Sequence, residues 1–233
     1  MPNTQSEIKA FIQNLISDGR LQHNQKLPSE RELVDQLETT RITLREGLTR
    51  LESEGVIYRQ NRRGWFVAPA RFMMNPAQKV DFNSMAQDQG FTPSTEILQQ
   101  HRCGVRREIS SAFGAAANSR YLHLRRVRGL DGRAVMVEDS YLPLSRYENL
   151  DEFDLSASVT AILKKHFNVG VASETCRILI ANLEQEHAEP LGIHTGAMGL
   201  KIVRLRYDSA HKLIDYNIEY WLPHAIEMEV TTR

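Results

Sequence analysis

The sequence predicts an α+β fold in two parts, a small helical unit followed by a larger strand-rich one. Three observations carry this. Residues 5–55 hold apolar side chains at helical spacing, punctuated by capping and turn signals. Beyond residue 77 the pattern changes to the alternation typical of strands. Between them, residues 68–76 carry Pro69 and Pro76 at either end and read as a linker. The expected division is a first unit over 1–69, a linker over 70–80 and a second unit over 81–233.

In the first unit, residues 6–17 carry Ile8, Phe11, Ile12, Leu15 and Ile16, an amphipathic helix that Gly19 ends. Ser29 and Glu32 form an S-x-x-E capping box directly after Pro28, which starts a second helix with Leu33, Val34 and Leu37 on its core face. Thr40 caps a third, whose stripe is Leu44, Leu48 and Leu51 and which Gly55 stops. Residues 56–58 and 65–67 read as short strands around the basic tip R-Q-N-R-R-G. Three helices and a basic hairpin make a winged helix-turn-helix, with the third helix shaped for the DNA major groove.

The charge pattern agrees. The chain has 233 residues, 29 of them basic and 29 acidic, so bulk charge does not drive it onto nucleic acid. Locally, residues 41–63 hold six arginines (41, 45, 50, 59, 62, 63) against three glutamates (46, 52, 54). Arg41 and Arg45 sit one turn apart at the start of the third helix, where a guanidinium fork meets guanine edges or phosphates. Arg31 lies near the start of the second helix, a usual place for a backbone phosphate contact. Arg62, Arg63 and Gly64 form the wing tip. Taken singly, each arginine also fits a solvated helix face with a neighbouring carboxylate.

Other classes are disfavoured. The apolar content is 41% and the charged content 25%, that of an ordinary globular chain. No apolar run approaches the roughly 18 residues that span a bilayer. The first residues lack a basic-then-apolar signal, so the expected location is cytoplasmic, with no membrane partner. Cys103 and Cys176 lie far apart without metal spacing and are expected as small buried hydrophobes. The eight histidines are scattered, and H-E-x-x-H, G-x-S-x-G, phosphate-loop and dinucleotide motifs are missing. Neither metal, cofactor nor catalysis is expected.

The run L-P-S-E-R-E-L, then T-R-x-T-L-R-E-x-L-x-R-L-E-x-E-G, then R-x-G-x-F-V, resembles the GntR family of bacterial transcription regulators over about residues 5–68. The resemblance implies that Arg31, Arg41, Thr43, Arg45 and Gly64 occupy DNA-contacting positions. Ile42 stands where the family varies and is suited to a thymine methyl; Trp65 replaces a small residue common after the wing glycine. Family members act as homodimers on inverted repeats, so double-stranded operator DNA and a second copy are the expected partners.

The strand-rich second unit narrows the resemblance to the HutC subfamily and its UTRA effector domain, a mixed α/β fold with a chorismate-lyase-like antiparallel sheet. Phe82, Met85, Gly90, Pro93 and Thr95 follow its pattern. The unit also reads as a worn duplication. One copy runs from Glu108 through R-V-R (126–128) to Y-L-P (141–143). The other runs from His187 through R-L-R (204–206) to W-L-P (221–223).

Alternation sets Leu122, Leu124, Arg126 and Arg128 on one strand face, and buried guanidiniums need an anion, either a neighbouring carboxylate or a ligand. After Asp131-Gly132, a two-residue loop places Glu138 opposite Arg125, a surface pair; a three-residue loop places it opposite Arg126. The residues leave both open. By resemblance to UTRA domains that bind phosphorylated sugars, Arg126, Arg128, Glu138, Ser158 and Glu219 line the site, with Thr160 where an aromatic residue is common. The implied effector is a small anionic metabolite, phosphorylated or a phosphonate, the Glu-Tyr-Trp ending resembling the phosphonate-utilisation branch. The implied protein is a repressor that the effector releases. The alternatives are a chorismate-lyase-like enzyme and a constitutive DNA binder whose C-terminal unit only dimerises.

Overall fold

The structure, a computed structural model, describes residues 4–60, 62–76, 78, 81–114 and 119–230. The linker positions 77, 79 and 80, wing residue 61 and the small-residue loop 115–118 lie outside the described residues. The chain divides into two compact units. The first comprises residues 1–72 with 192–194 and 223–227; the second comprises the rest. Two short segments that the sequence places in the second unit thus belong to the first.

The first unit contains α1 (Gln5–Ser17), α2 (Glu30–Gln36), α3 (Arg41–Ser53), β1 (Ile57–Gln60) and β2 (Gly64–Val67). The predicted caps form. Glu32 N donates to Ser29 Oγ at 3.2 Å while Ser29 N donates to Glu32 Oε2 at 2.7 Å. Thr43 N donates to Thr40 Oγ1 at 3.2 Å. Ile8, Ile12, Leu33, Leu44, Leu48, Leu51 and Ile57 form a core with no exposure. Helix α1 crosses α3 at Gly47, where an added Cβ would stand 2.9 Å from Ile8 Cγ2.

In the second unit β4 (Pro93–Cys103), β5 (Tyr121–Leu130), β6 (Arg133–Pro143), β7 (Ser173–Asn182), β8 (Met198–Tyr207) and β9 (Leu213–Trp221) form one antiparallel sheet ordered β4-β5-β6-β9-β8-β7. Helices α4 (Phe82–Asp88), α5 (Arg107–Ala112), α6 (Val159–Phe167) and α7 (Gln185–Ala188) accompany it. The order is that of two equivalent halves joined at β6 and β9, the duplication expected from the sequence. Leu122 and Leu124 pack with Leu155, Val159 and Leu163 into the core beneath α6. Within the stretch read as linker, β3 (Phe72–Met74) pairs with β10 (Ile226–Met228). Cys103 and Cys176 are free and half-buried rather than buried.

The two halves share a further detail. The β5–β6 turn is the two-residue Asp131-Gly132, with Leu130 facing Arg133 and Gly129 facing Ala134. An irregularity then leaves Val135 unpaired, so Arg128 faces Met136 and Arg126 faces Glu138. The β8–β9 hairpin slips at the same place, with Tyr207 facing Leu213 but Arg206 facing Asp215. The equivalent of Glu138, across from Arg204, is therefore Asn217. The Leu-Pro match in the sequence was displaced by one residue from this register.

Candidate functional sites

The first candidate site is the outer face of α3 and the β1–β2 tip. Arg41, Ile42 and Arg45 are exposed, Ile42 at 73%. Arg41 makes no ion pair among the described residues. Arg45 Nε pairs with Glu30 Oε2 at 2.9 Å, yet its side chain stays 65% exposed. Thr43 Oγ1 lies 2.9 Å from Thr40 Oγ1, part of the cap. Arg31 and Arg62 are exposed, and Gly64 has φ +102°, a conformation that disfavours any side chain. The Arg63 guanidinium lies 5.5 Å from the Phe66 ring centre, and that of Arg59 5.7 Å from Trp65. Trp65 itself is 6% exposed, joins the core, and donates Nε1 to Glu30 Oε1 at 3.2 Å. One carboxylate thus ties α2, α3 and the wing together.

The second is a cleft in the second unit lined by Arg126, Arg128, Glu138, Ser158, Thr160 and Glu219, all six residues assigned by resemblance. Arg206, Asp81, Asn83, Phe82, Met136, Val159 and Trp221 complete the lining. The register question is answered by the unpaired Val135: the turn has two residues, yet Glu138 still faces Arg126. Arg125, read as half of a surface pair, is buried on the opposite sheet face with Asp139.

Glu138 supplies the anion that the arginines required. Arg126 Nη2 pairs with Glu138 Oε1, and its Nη1 donates to the carbonyls of Leu155 at 2.9 Å and Ala157 at 3.0 Å. Arg128 donates Nε to Glu138 Oε1 at 2.9 Å and Nη1 to Thr95 Oγ1 at 3.2 Å, with its guanidinium 5.1 Å from the Phe82 ring centre. Burial pushes Glu138 up, but Arg126 and Arg128 outweigh it and hold the carboxyl at about 2. Burial brings Arg126 down to about 10, with Glu138 opposing. Glu219 accepts from Arg204 Nε and Trp221 Nε1, each at 2.9 Å, and Arg204 also holds Glu174 at 2.9 Å.

Ser158 is the N-cap of α6, and its hydroxyl lies 3.0 Å from that of Thr160. It also donates to Asp81 Oδ2 at 3.3 Å. Asp81 is the N-cap of α4 and places a carboxylate beside the Ser158 hydroxyl. Sequence reasoning missed Asp81, which carries no signal beyond its place before a short helix. It also missed Arg206, although the repeated R-x-R had drawn attention to that strand.

The opposite face holds a separate buried network. Asp139 accepts from Arg125 Nε at 2.7 Å and lies 2.7 Å from His123 Nε2 and 2.8 Å from His187 Nε2. Burial pushes Asp139 up, but these bonds outweigh it and hold the carboxyl well below the usual range. The network fixes α7 to the sheet, with His187 stacked on Tyr220 at 3.9 Å. Among the described residues, no group of three or more His, Cys, Asp or Glu is placed to hold a metal ion, and no helix is long and apolar enough to cross a membrane.

Comparison with known proteins follows the same division. The UTRA domain family matches residues 88–227, and the family described as bacterial regulatory proteins, gntR family, matches residues 4–67. The uncharacterized HTH-type transcriptional regulator YihL of Escherichia coli (strain K12) is 28% identical over 229 residues, covering 97% of this chain and 96% of the relative. The HTH-type transcriptional repressor NagR of Bacillus subtilis is 26% identical over 211 residues, covering 88% and 87%. The crystal structure of PhnF from Mycobacterium smegmatis superposes with a TM-score of 0.68 at 22% identity, covering 99% of each chain, a likeness of fold.

Proposed function

Since this chain belongs to the gntR family of bacterial regulatory proteins and carries a UTRA domain, we propose that it is a homodimeric repressor released from its operator by a small metabolite bearing both an anionic group and an ammonium. It is a regulator of transcription, of the repressor type, and not an enzyme. The proposed DNA contacts are Arg41, Ile42, Thr43 and Arg45 in the major groove, Arg31 on a phosphate, and Arg62, Arg63 and Gly64 at the wing. A single small reading head gives little specificity alone, which favours two copies on an inverted repeat.

The observation that carries the effector reading is the charge balance of the cleft. Four guanidiniums (Arg126, Arg128, Arg204, Arg206) meet five carboxylates (Asp81, Glu138, Glu174, Asp215, Glu219) in and around it. A simple anion would add to a negative excess. A zwitterion instead exchanges partners: its ammonium takes a carboxylate, Glu138 or Glu219, and a guanidinium takes its anion. Phosphorylated amino sugars and aminophosphonates have that chemistry. Ligand binding would favour one arrangement of the sensor and shift occupancy of the DNA by population.

The test is a thermal-shift screen of the full-length protein against glucosamine 6-phosphate, glucose 6-phosphate, 2-aminoethylphosphonate and free amino acids. The reading expects the amino-bearing phosphates or phosphonates to stabilise more than glucose 6-phosphate. Stabilisation by free amino acids alone would sink it.

A further inference from the structure

The three guanidiniums that line the cleft are unequally committed. Arg126 is held by two backbone carbonyls and Glu138, and Arg128 by Glu138 and Thr95. The Arg206 guanidinium makes one hydrogen bond among the described residues, Nη1 to Asp215 Oδ2 at 3.1 Å. Its Nε is buried without a partner, as is that of Arg126, so the difference lies in the terminal nitrogens. Asp215 is 1% exposed, and its Oδ1 likewise has no partner. Arg206 is also the register equivalent of Arg128, since each stands beside the unpaired residue of its own hairpin.

We propose that Arg206 takes the anionic group of the effector and that Asp215 binds a proton as the anion arrives. The inference rests on the reading of this cleft as the effector site. The ligand class is a tetrahedral oxyanion, phosphoryl, phosphonyl or sulfate, because a guanidinium with unused donors can add to whatever Arg126 and Arg128 contribute. Ser158 is the less suitable seat, because the Asp81 carboxylate already occupies its hydroxyl.

The proton follows from what surrounds Asp215. Facing it are Arg206 on β8, Glu174 on β7, Glu138 on β6 and Arg126 on β5, with Tyr147 in the segment after β6. Glu174 is bound by Arg204, and Glu138 by Arg126 and Arg128. Asp215 depends on Arg206. A dianion that shares this guanidinium draws its charge away, and Asp215, already pushed up by burial, is the acid that then takes a proton from solvent. Anion affinity therefore rises as pH falls.

Sulfate is the probe, because it presents tetrahedral oxygens and does not itself titrate near neutral pH. Calorimetric titration of the full-length protein, at constant ionic strength in two buffers of different ionisation enthalpy, reads affinity and proton uptake together. The expected result is binding with net proton uptake in the wild type and at least about tenfold weaker binding in Arg206→Gln. Asp215→Asn should still bind sulfate, without the proton uptake. If Arg206→Gln does not fold, Arg206→Lys, which keeps the charge and loses the fork, should show the same weakening. Equal binding by the wild type and the Arg206 variants would overturn the assignment of Arg206 while leaving the cleft as an anion site. Unchanged proton uptake in Asp215→Asn would overturn the role of Asp215. A wild type that binds no sulfate would overturn this inference, while the zwitterionic-effector reading, which expects a lone anion to bind less well, is decided separately by the thermal-shift screen.

Discussion

Arg126 stands directly across the β5–β6 ladder from Glu138, and one unpaired residue puts it there. Without the irregularity at Val135, the two-residue turn would place Glu138 on the other face of the sheet, because side chains alternate with period two. The Val135 carbonyl accepts from Leu222 N at 3.0 Å, so the extra residue is anchored by the chain beyond β9.

Removing the Glu138 carboxylate leaves two buried guanidiniums without their shared partner. Glu138→Ala is expected to destabilise the second unit by about 3–5 kcal/mol, the usual result of breaking a buried pair from one side. Urea unfolding followed by tryptophan fluorescence measures it. A loss below about 1 kcal/mol, typical of an exposed pair, would contradict the burial described.

The same carboxylate sets a pH dependence. Its folded value, about 2, lies below the ordinary 4.5, so the stabilisation is fully present above that ordinary value and is lost as pH falls from 4.5 towards 2. Asp139 shifts in the same direction. Acid unfolding of Glu138→Gln should therefore be less steep across that window than in the wild type. An identical slope would remove Glu138 from the account.

Arg45 separates stability from recognition. Its pair with Glu30 is solvent-exposed, so Arg45→Ala should change the melting stability by about 1 kcal/mol or less. Its operator affinity should fall by about tenfold or more, the loss expected from one guanidinium at a base edge. Arg41→Ala should weaken binding comparably. Fluorescence anisotropy over a salt series tells a phosphate contact, which lowers the salt slope by about one, from a base contact.

Much of the first unit was legible because its determinants are local. Ser29, Glu32, Thr40 and the apolar stripes act within a few residues. The sheet was legible as strands and as a duplication. Its site register was not, because a three-residue turn and a two-residue turn plus an unpaired Val135 use the same length of chain. What separates them is tertiary, the bond from Leu222. The six residues assigned to the effector by resemblance do converge on one cleft. Their charge balance could not be read beforehand, since Asp81 comes from a short helix just after the linker and Asp215 from a strand far along the chain. Nor was Gly47 recognisable as a crossing point, because a glycine inside a helix shows nothing of what lies against it.

That crossing yields a further prediction. Gly47→Val would push a branched side chain into Ile8 and is expected to destabilise the first unit by about 1–3 kcal/mol. Hydrogen exchange should localise the loss to α1 and α3. Equal protection in the variant would show that the contact gives way without consequence.

The most direct test of the central claim is operator release. Protein bound to a labelled inverted-repeat operator is titrated with glucosamine 6-phosphate and, in parallel, with 2-aminoethylphosphonate, and anisotropy is followed in the wild type and in Arg206→Gln. The account predicts that at least one of them frees the operator from the wild type and that the variant, which still binds DNA, needs at least about tenfold more of it. Release of neither kind from the wild type, or equal release from both proteins, would contradict it.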